Sequence, residues 1–352
     1  MSNTSVATNS TSAHPYSPPM ISDAITVQII TLISIIGGFA SIIGTGTNTV
    51  NIVIFLKQGL QDSVNISLFS LAISDILSLI SFGILALWVS PIYVYSELDV
   101  ISGEFEYIVG GMFHSTMTRI TGWITAFITL ERCLCVAIPL KVKSILTIKR
   151  VAICMVSVFL IVFISYMPLF YTNQIVWKFF PLFNRTMLGI TFTPDRALID
   201  FFVFLFHTVI STFGSFIAVL ICTITLVIEL KQKTKWRKQA TMTSSVKPGE
   251  AKSISSKEIK VIRMIVLLST AFIISSTPTM AFTIWSIADQ SFTAVGYNRN
   301  IFNVSFSFIF LIEALNSSIS MLVYYTMSTK FKVTCREMLP SCLLKPEGEA
   351  KK

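Results

Sequence analysis

The sequence predicts an all-α integral membrane protein: a seven-transmembrane helix bundle with a short C-terminal amphipathic helix. Three observations predict it. The 352 residues are 53% hydrophobic and only 13% charged, too little charge to cover a water-soluble surface of that size. The charges are clumped rather than spread. Between the clumps lie seven apolar runs, each long enough to cross a hydrocarbon core of ~30 Å, which takes roughly 20 helical residues.

The runs cover about 27–56, 66–92, 107–138, 151–170, 199–230, 261–287 and 301–325. Backbone polar groups cannot face lipid unpaired, so each run is expected to be a helix. Barrel strands are excluded, because they alternate in polarity and span only about 10 residues. Residues 1–25 are polar and carry no Lys or Arg, so they read as an N-terminal segment and not as a cleavable signal. Residues 26–326 form one membrane domain. The stretch 231–257 is rich in Lys, Ser and Thr, holds Pro248-Gly249, and reads as a polar loop. Residues 327–352 hold a basic amphipathic segment and a tail, expected to lie along the membrane surface.

Basic residues set the orientation. The C-terminal side of the bundle holds Lys57, Lys141, Lys143, Lys149, Arg150, the run 231–260 and the basic tail. The N-terminal side holds only Lys178, Arg185, Arg196 and Arg299. This bias puts the N-terminus outside a plasma membrane and the C-terminus in the cytoplasm. The net charge of +9 then belongs to the cytoplasmic face, where it suits the bilayer's anionic headgroups and an acidic partner. It is no argument for nucleic acid. Glycosylation motifs at Asn3, Asn9 and Asn184 fall on the outer side. All six cysteines lie in helices or on the inner side, so no extracellular disulfide is expected. Cys335 and Cys342 are candidate acylation sites in the inner amphipathic segment.

Local patterns then fall in order along the chain. The first helix has Asn48 followed by Val50 and Ile52, and the second has Leu71-Ala72-Ile73-Ser74-Asp75. The third ends in Glu131-Arg132-Cys133, followed by a proline, Pro139, and then lysines. The sixth carries Phe272 and Pro278; the seventh has Asn316-Ser317-Ser318, then Tyr324 and Phe331. Each pattern is short. In this order and topology they resemble the rhodopsin-like (class A) G-protein-coupled receptors. The chain departs from that pattern at several places. Cys133 stands for a tyrosine, Thr47 for a glycine, Ser276 for a tryptophan, and Ser320-Met321-Leu322-Val323-Tyr324 for Asn-Pro-x-x-Tyr. Val158 and Gly214 stand near the usual fourth-helix tryptophan and fifth-helix proline, and Tyr107 near the usual cysteine. The chain reads as a divergent branch. Lys57-Gln58-Gly59-Leu60 and the run 62–67 resemble invertebrate receptors, particularly the molluscan chemosensory group.

The resemblance implies a receptor that passes the binding of an extracellular ligand, a chemosensory cue or a peptide, to a heterotrimeric G protein. Outward movement of the sixth helix would carry the signal. Glu131 and Arg132 would sit at the coupling end, with Glu258 as a resting-state partner for Arg132. Phe272, Pro278 and Tyr324 would belong to the switch.

Physical chemistry adds its own demands. A central intramembrane Asp or Arg costs about 2.5–3.5 kcal/mol, so Asp75 must face the interior and find partners. Asn48 and Ser320 are expected there, with Asn316 behind. The resemblance makes this polar centre a possible sodium site. Glu313, Asn316, Ser320 and Tyr324 share one helical face, which must point inward. His114, Thr118, Thr121, Thr125 and Arg132 repeat this on the third helix, with His114 and Arg132 ~27 Å apart along the axis.

Candidate ligand contacts are His114, Thr118, His207 and Glu313, with Trp285 at the rim. Each has an alternative as an interhelical hydrogen bond. Arg119 lies ~140° from His114 around the helix and is expected to face the fourth or fifth helix as a structural group. The resemblance places His114 where amine receptors carry an aspartate, which disfavours a simple monoamine. The seventh helix has no lysine, so a retinal Schiff base has no attachment point. No nucleophile–base set, phosphate loop or metal-ligand spacing appears, so no enzyme is expected. A seven-helix transporter or channel is the competing class; Gly44 and Gly46 offer weak material for the broken helix it would need.

Overall fold

The computed structural model describes residues 21–90, 98–100, 104, 107–181, 184–242, 256–294 and 296–338. Seven of its helices are long and apolar enough to cross a membrane. They start with α1 (Asp23–Gln58), α2 (Ser63–Val89), α3 (Met112–Ala137) and α4 (Ile148–Thr172). A two-stranded hairpin follows, β1 (Asn173–Phe180) and β2 (Arg185–Phe192). Next come α5 (Thr212–Met242), α6 (Ser256–Ala288) and α7 (Arg299–Ser318), which resumes as Ser320–Met327. The last helix is α8 (Thr329–Met338).

Local chemistry sets the helix ends. Ser22, Asp62 and Thr147 each accept a hydrogen bond from a first-turn backbone N–H of α1, α2 and α4. Gly59, at φ 84°, ends α1 in a conformation that a side chain would strain. The second helix stops at Val89, short of the expected residue 92. Ser90 precedes Pro91 and is extended, at ψ 151°, as the proline ring demands of its neighbour. Near the usual fifth-helix proline, α5 is entered instead through a π-helical stretch, Phe204–Ser211. The hairpin was not foreseen from the sequence. It pairs Asn173 with Phe192 through Phe180 with Arg185, and Asn184 turns it at φ 49°.

The bundle is inside-out relative to a soluble protein. Ile42, Phe39, Ile274 and Leu322 are two-thirds or more exposed, while Asn48, Asn51, Ser74 and Ser78 are fully buried. Such an apolar rim suits lipid, and the buried hydroxyls and amides supply contacts between helices. Helix α3 is central: it touches α2, α4, α5 and α6. Small residues let helices close in. A Cβ on Gly44 would collide with Ser318 Oγ, and would sit 2.8 Å from Leu79 Cδ1. Gly44 is therefore a packing position inside an unbroken α1, not a helix break.

The hairpin lies at the N-terminal face of the bundle, and α8 at the C-terminal face. No cysteine ties the hairpin down. Polar contacts do it instead. Glu104 Oε2 accepts from Ile190 N–H and pairs with Lys178 Nζ at 2.9 Å. Leu188 N–H donates to Asp99 O at 2.8 Å, and Arg185 pairs with Asp99 at 3.2 Å.

Candidate functional site

Three polar layers stack along the inside of the bundle. The one nearest the N-terminal face joins α2, α3, α6 and α7. His114 Nδ1 lies 3.0 Å from the carbonyl of Ser78, which can only accept, so Nδ1–H donates. His114 Nε2 then faces Glu313 Oε2 at 3.5 Å. Glu313 Oε1 accepts from Thr279 Oγ1 at 3.1 Å. His114 is fully buried and packs on Phe310, ring centroids 4.4 Å apart. It acts as an interhelical bolt.

The middle layer holds Asp75. The structure corrects its expected partners. Asp75 Oδ1 accepts from Ser317 Oγ at 3.0 Å and Thr121 Oγ1 at 3.1 Å, not from Asn48 or Ser320. Asn48 and Ser320 form an adjoining knot. Asn48 Nδ2 donates to Ser317 O at 2.8 Å, Ser320 Oγ donates to Asn48 Oδ1 at 3.0 Å, and Asn51 Nδ2 reaches both. Ser317 thus joins the two groups through its hydroxyl and its carbonyl. Asn316, one residue earlier on α7, turns away from the knot and lines a cavity.

That cavity sits between the two layers. Thr118, Arg119, Ser276, Glu313 and Asn316 line it, with Thr121 and Ser317 at its deep end. Arg119 faces α5 as expected, and opens onto this cavity, whose lining includes Thr212 and Ser215 of α5. The structure also separates the remaining ligand candidates. His207 is buried away from the cavity lining, 2.9 Å from Ser165 Oγ of α4 through Nε2, with its ring on Tyr166. The π-helical stretch carries it, and Thr212 Oγ1 donates to the His207 carbonyl. Trp285 is exposed at the C-terminal end of α6, stacked on Phe292 at 4.1 Å, and is not part of the lining.

At the C-terminal face, Arg132 donates to Glu131 Oε1 at 2.7 Å. The same oxygen accepts from Ser63 Oγ at the start of α2. Glu131 is buried, so the pair is pinned to α2. The side chain of Glu258, the expected partner, lies outside the described residues; among those described, Glu131 is the carboxylate on Arg132. Phe272 packs with Ala126 of α3 and Val219 of α5, one turn and a half before the α6 proline Pro278. Gly122 makes room for it: a Cβ there would lie 3.3 Å from the Phe272 ring. Tyr324 is buried in an aromatic trio with Phe55 and Phe331, centroids 5.4 and 5.5 Å away, which seats α8 on α1 and α7.

The structure corrects one further expectation. Cys335 points into the core beside Phe331 and is 6% exposed, so its thiol is withheld from an acyl donor. Cys342, Asn3 and Asn9 lie outside the described residues. Asn184 is exposed at the hairpin tip.

Sequence reasoning missed Asn51, the Ser63–Glu131 contact, and Ser317 as the group that holds Asp75. Only Ser317 had a visible signal: it lies four residues after Glu313 on the inward face of α7.

No curated protein matches the chain. A family model, the 7 transmembrane receptor (rhodopsin family), matches residues 47–334, from the second half of α1 to the middle of α8. The matched region takes in all three polar layers and the cavity between them, so the chain belongs to the rhodopsin family of seven-transmembrane receptors.

Proposed function

We propose that the protein transmits the binding of an extracellular ligand, a chemosensory cue or a peptide, to a heterotrimeric G protein at the cytoplasmic face of the plasma membrane. One observation carries the reading. Buried polar groups form two clusters, His114 with Glu313, and Asp75 with Ser317, Asn48 and Ser320 one helical turn above Tyr324, and the cavity lies between them. Glu313 and Ser317 both line that cavity, so a ligand held there would reach both clusters. The positive-inside bias supports an outer N-terminus and an inner Arg132. The exposed Asn184 then suits glycosylation.

In this reading the ligand enters from the N-terminal face, near Thr118, His114 and Glu313. Outward movement of α6 about Pro278 frees Arg132 for the G protein, with Glu258 as its resting partner across α6. This is a two-state element biased by ligand. Asp75, Thr121 and Ser317 offer one carboxylate and two hydroxyls, an all-oxygen set that fits a hard cation such as sodium. Bound there, such an ion would offset the buried charge of Asp75.

The test is expression with a panel of chimeric G proteins, challenged with amino acids, peptides and water-borne odorants. A ligand response that is lost in Arg132→Ala while surface expression holds supports the reading. A ligand-evoked current or substrate flux without any G protein overturns it in favour of a transporter or channel.

A further inference from the structure

Arg119 is a cation near mid-membrane, about 10 Å along α3 from its start at Met112. Such a charge is retained only where it is used or neutralised. Among the described residues Arg119 makes no hydrogen bond or ion pair, yet it lines the cavity. Glu313, on the same cavity wall, accepts from Thr279 through Oε1 and faces His114 Nε2 at 3.5 Å through Oε2; it feels the charge of Arg119 but makes no hydrogen bond or ion pair with it. Two further lining side chains are also unspent among the described residues: the amide of Asn316 and the hydroxyl of Ser276. The other hydroxyls nearby donate to their own helices, as Thr118 does to Ser115 O and Ser275 to Phe272 O. The donors left for a guest are therefore a guanidinium, a carboxamide and a hydroxyl, from α3, α7 and α6.

This is an oxyanion-binding set. Arg presents a planar fork of N–H groups that matches a carboxylate with two parallel bonds, and in a low-dielectric interior that match is strong. We propose that the cavity takes the carboxylate of a small, water-borne anionic ligand, with Arg119 as its anchor and Asn316 and Ser276 as additional donors. The proposal rests on the receptor reading above and names the chemistry of its ligand. The space also limits size. Its enclosed part has room for about one water. A single carboxylate head taking that water's place is the most such a space admits; a broad rigid ring system does not fit. Because Ser276 lies on α6 two residues before Pro278, an anion bridging Arg119 and Ser276 would act on the helix that is proposed to move.

The experiment measures the thermal unfolding midpoint of the purified full-length receptor, without any G protein. The probes are sodium salts of short aliphatic, hydroxy, keto and aromatic carboxylates, each paired with its primary amide, at constant ionic strength with chloride. At least one carboxylate should raise the midpoint saturably while its amide does not. Arg119→Gln should weaken that carboxylate about thirtyfold or more, as loss of one partner of a buried charge pair does. Arg119→Lys keeps the charge but not the fork and should lose less. If Arg119→Gln fails to fold, Asn316→Ala and Ser276→Ala carry the test, each expected to weaken binding several-fold. The proposal is overturned if no carboxylate shifts the midpoint, or if amides shift it equally. It is also overturned if the shift survives Arg119→Gln, or if only long-chain fatty acids act, which would place the source in the bilayer. Binding in isolation and signalling in cells are separate readouts. Stabilisation by a carboxylate without any G-protein response would sink the receptor reading alone, and a response to a neutral ligand without carboxylate binding would sink only this proposal.

Discussion

The middle polar layer and the hairpin at the N-terminal face are both held by polar contacts, but the two work differently. Asp75, Asn48, Ser317 and Ser320 are nearly or fully buried, and each contact has only other protein groups to compete with. Glu104 and Lys178 are about a third exposed, and Asp99 and Arg185 are more so. Water and salt compete for those ions, so each pair contributes about 0–1 kcal/mol. The difference teaches where rigidity lies. The centre is fixed by hydrogen bonds that nothing else can replace. The hairpin is fixed by its backbone ladder, with ion pairs as adjustable ties.

The sharpest way to break the comparison is Asn48→Ala. It takes the side-chain donor from Ser317 O and the acceptor from the Ser320 hydroxyl proton, at about 1–3 kcal/mol for each group left bare, while Asn51 Nδ2 and Ser320 Oγ keep each other at 3.3 Å. A large drop in the thermal midpoint of the purified receptor is expected; a drop as small as that of a surface mutant would show that water already fills the knot. Gly44→Ala comes next. The added methyl meets Ser318 and Leu79, and overpacking of that kind costs typically 1–3 kcal/mol. Gly46→Ala, where a Cβ meets nothing within 4 Å, is the control and should be neutral or slightly stabilising.

Glu104→Gln tests the hairpin. The amide oxygen can still accept from Ile190 N–H, while the NH2 replaces Oε1, so the charge pairing with Lys178 and one of its hydrogen bonds are lost. The expected destabilisation is below about 1 kcal/mol and disappears as salt rises toward ~1 M, where the Debye length is about 3 Å. A loss that ignores salt would mean that the carboxylate is sequestered after all.

The smallest effect belongs to Asp289, just beyond α6. The Ser291 hydroxyl and N–H, with Trp285 and Asn298, hold its carboxyl below the usual aspartate range. The unfolded chain therefore takes up that proton first. The stabilisation is complete above about pH 4 and fades as pH falls through the lowered folded value. The midpoint difference between wild type and Asp289→Asn should shrink on that acid side and stay flat from pH 5 to pH 8.

Much of this was legible in the sequence. Long apolar runs fixed seven spans, because lipid allows so few alternatives for an unbroken run. Inward faces of the third and seventh helices followed from spacing alone, and Glu313, Ser320, Thr118 and Thr121 are buried as that spacing demands. Partner choice was not legible. Asp75 could reach several hydroxyls, and which one it takes depends on the rise and rotation of α7 against α2, a matter of ångströms that no periodicity encodes. His207 misled for a similar reason: it sits in a π-helical stretch, whose turn holds an extra residue, and its ring packs on α4. The angle from His114 pointed Arg119 toward α5 correctly, but an angle is only a direction: that a cavity opens there, between α3, α5 and α6, was not legible. The hairpin was hidden by its short strands, which sit between spans of far stronger signal.

The unstapled hairpin has a practical consequence. The first cysteine in the chain is Cys133, far down α3, so thiol reagents have no bond to cut around the mouth of the bundle. Dithiothreitol should leave ligand access untouched, and a reducing expression host should fold this face as well as an oxidising one does.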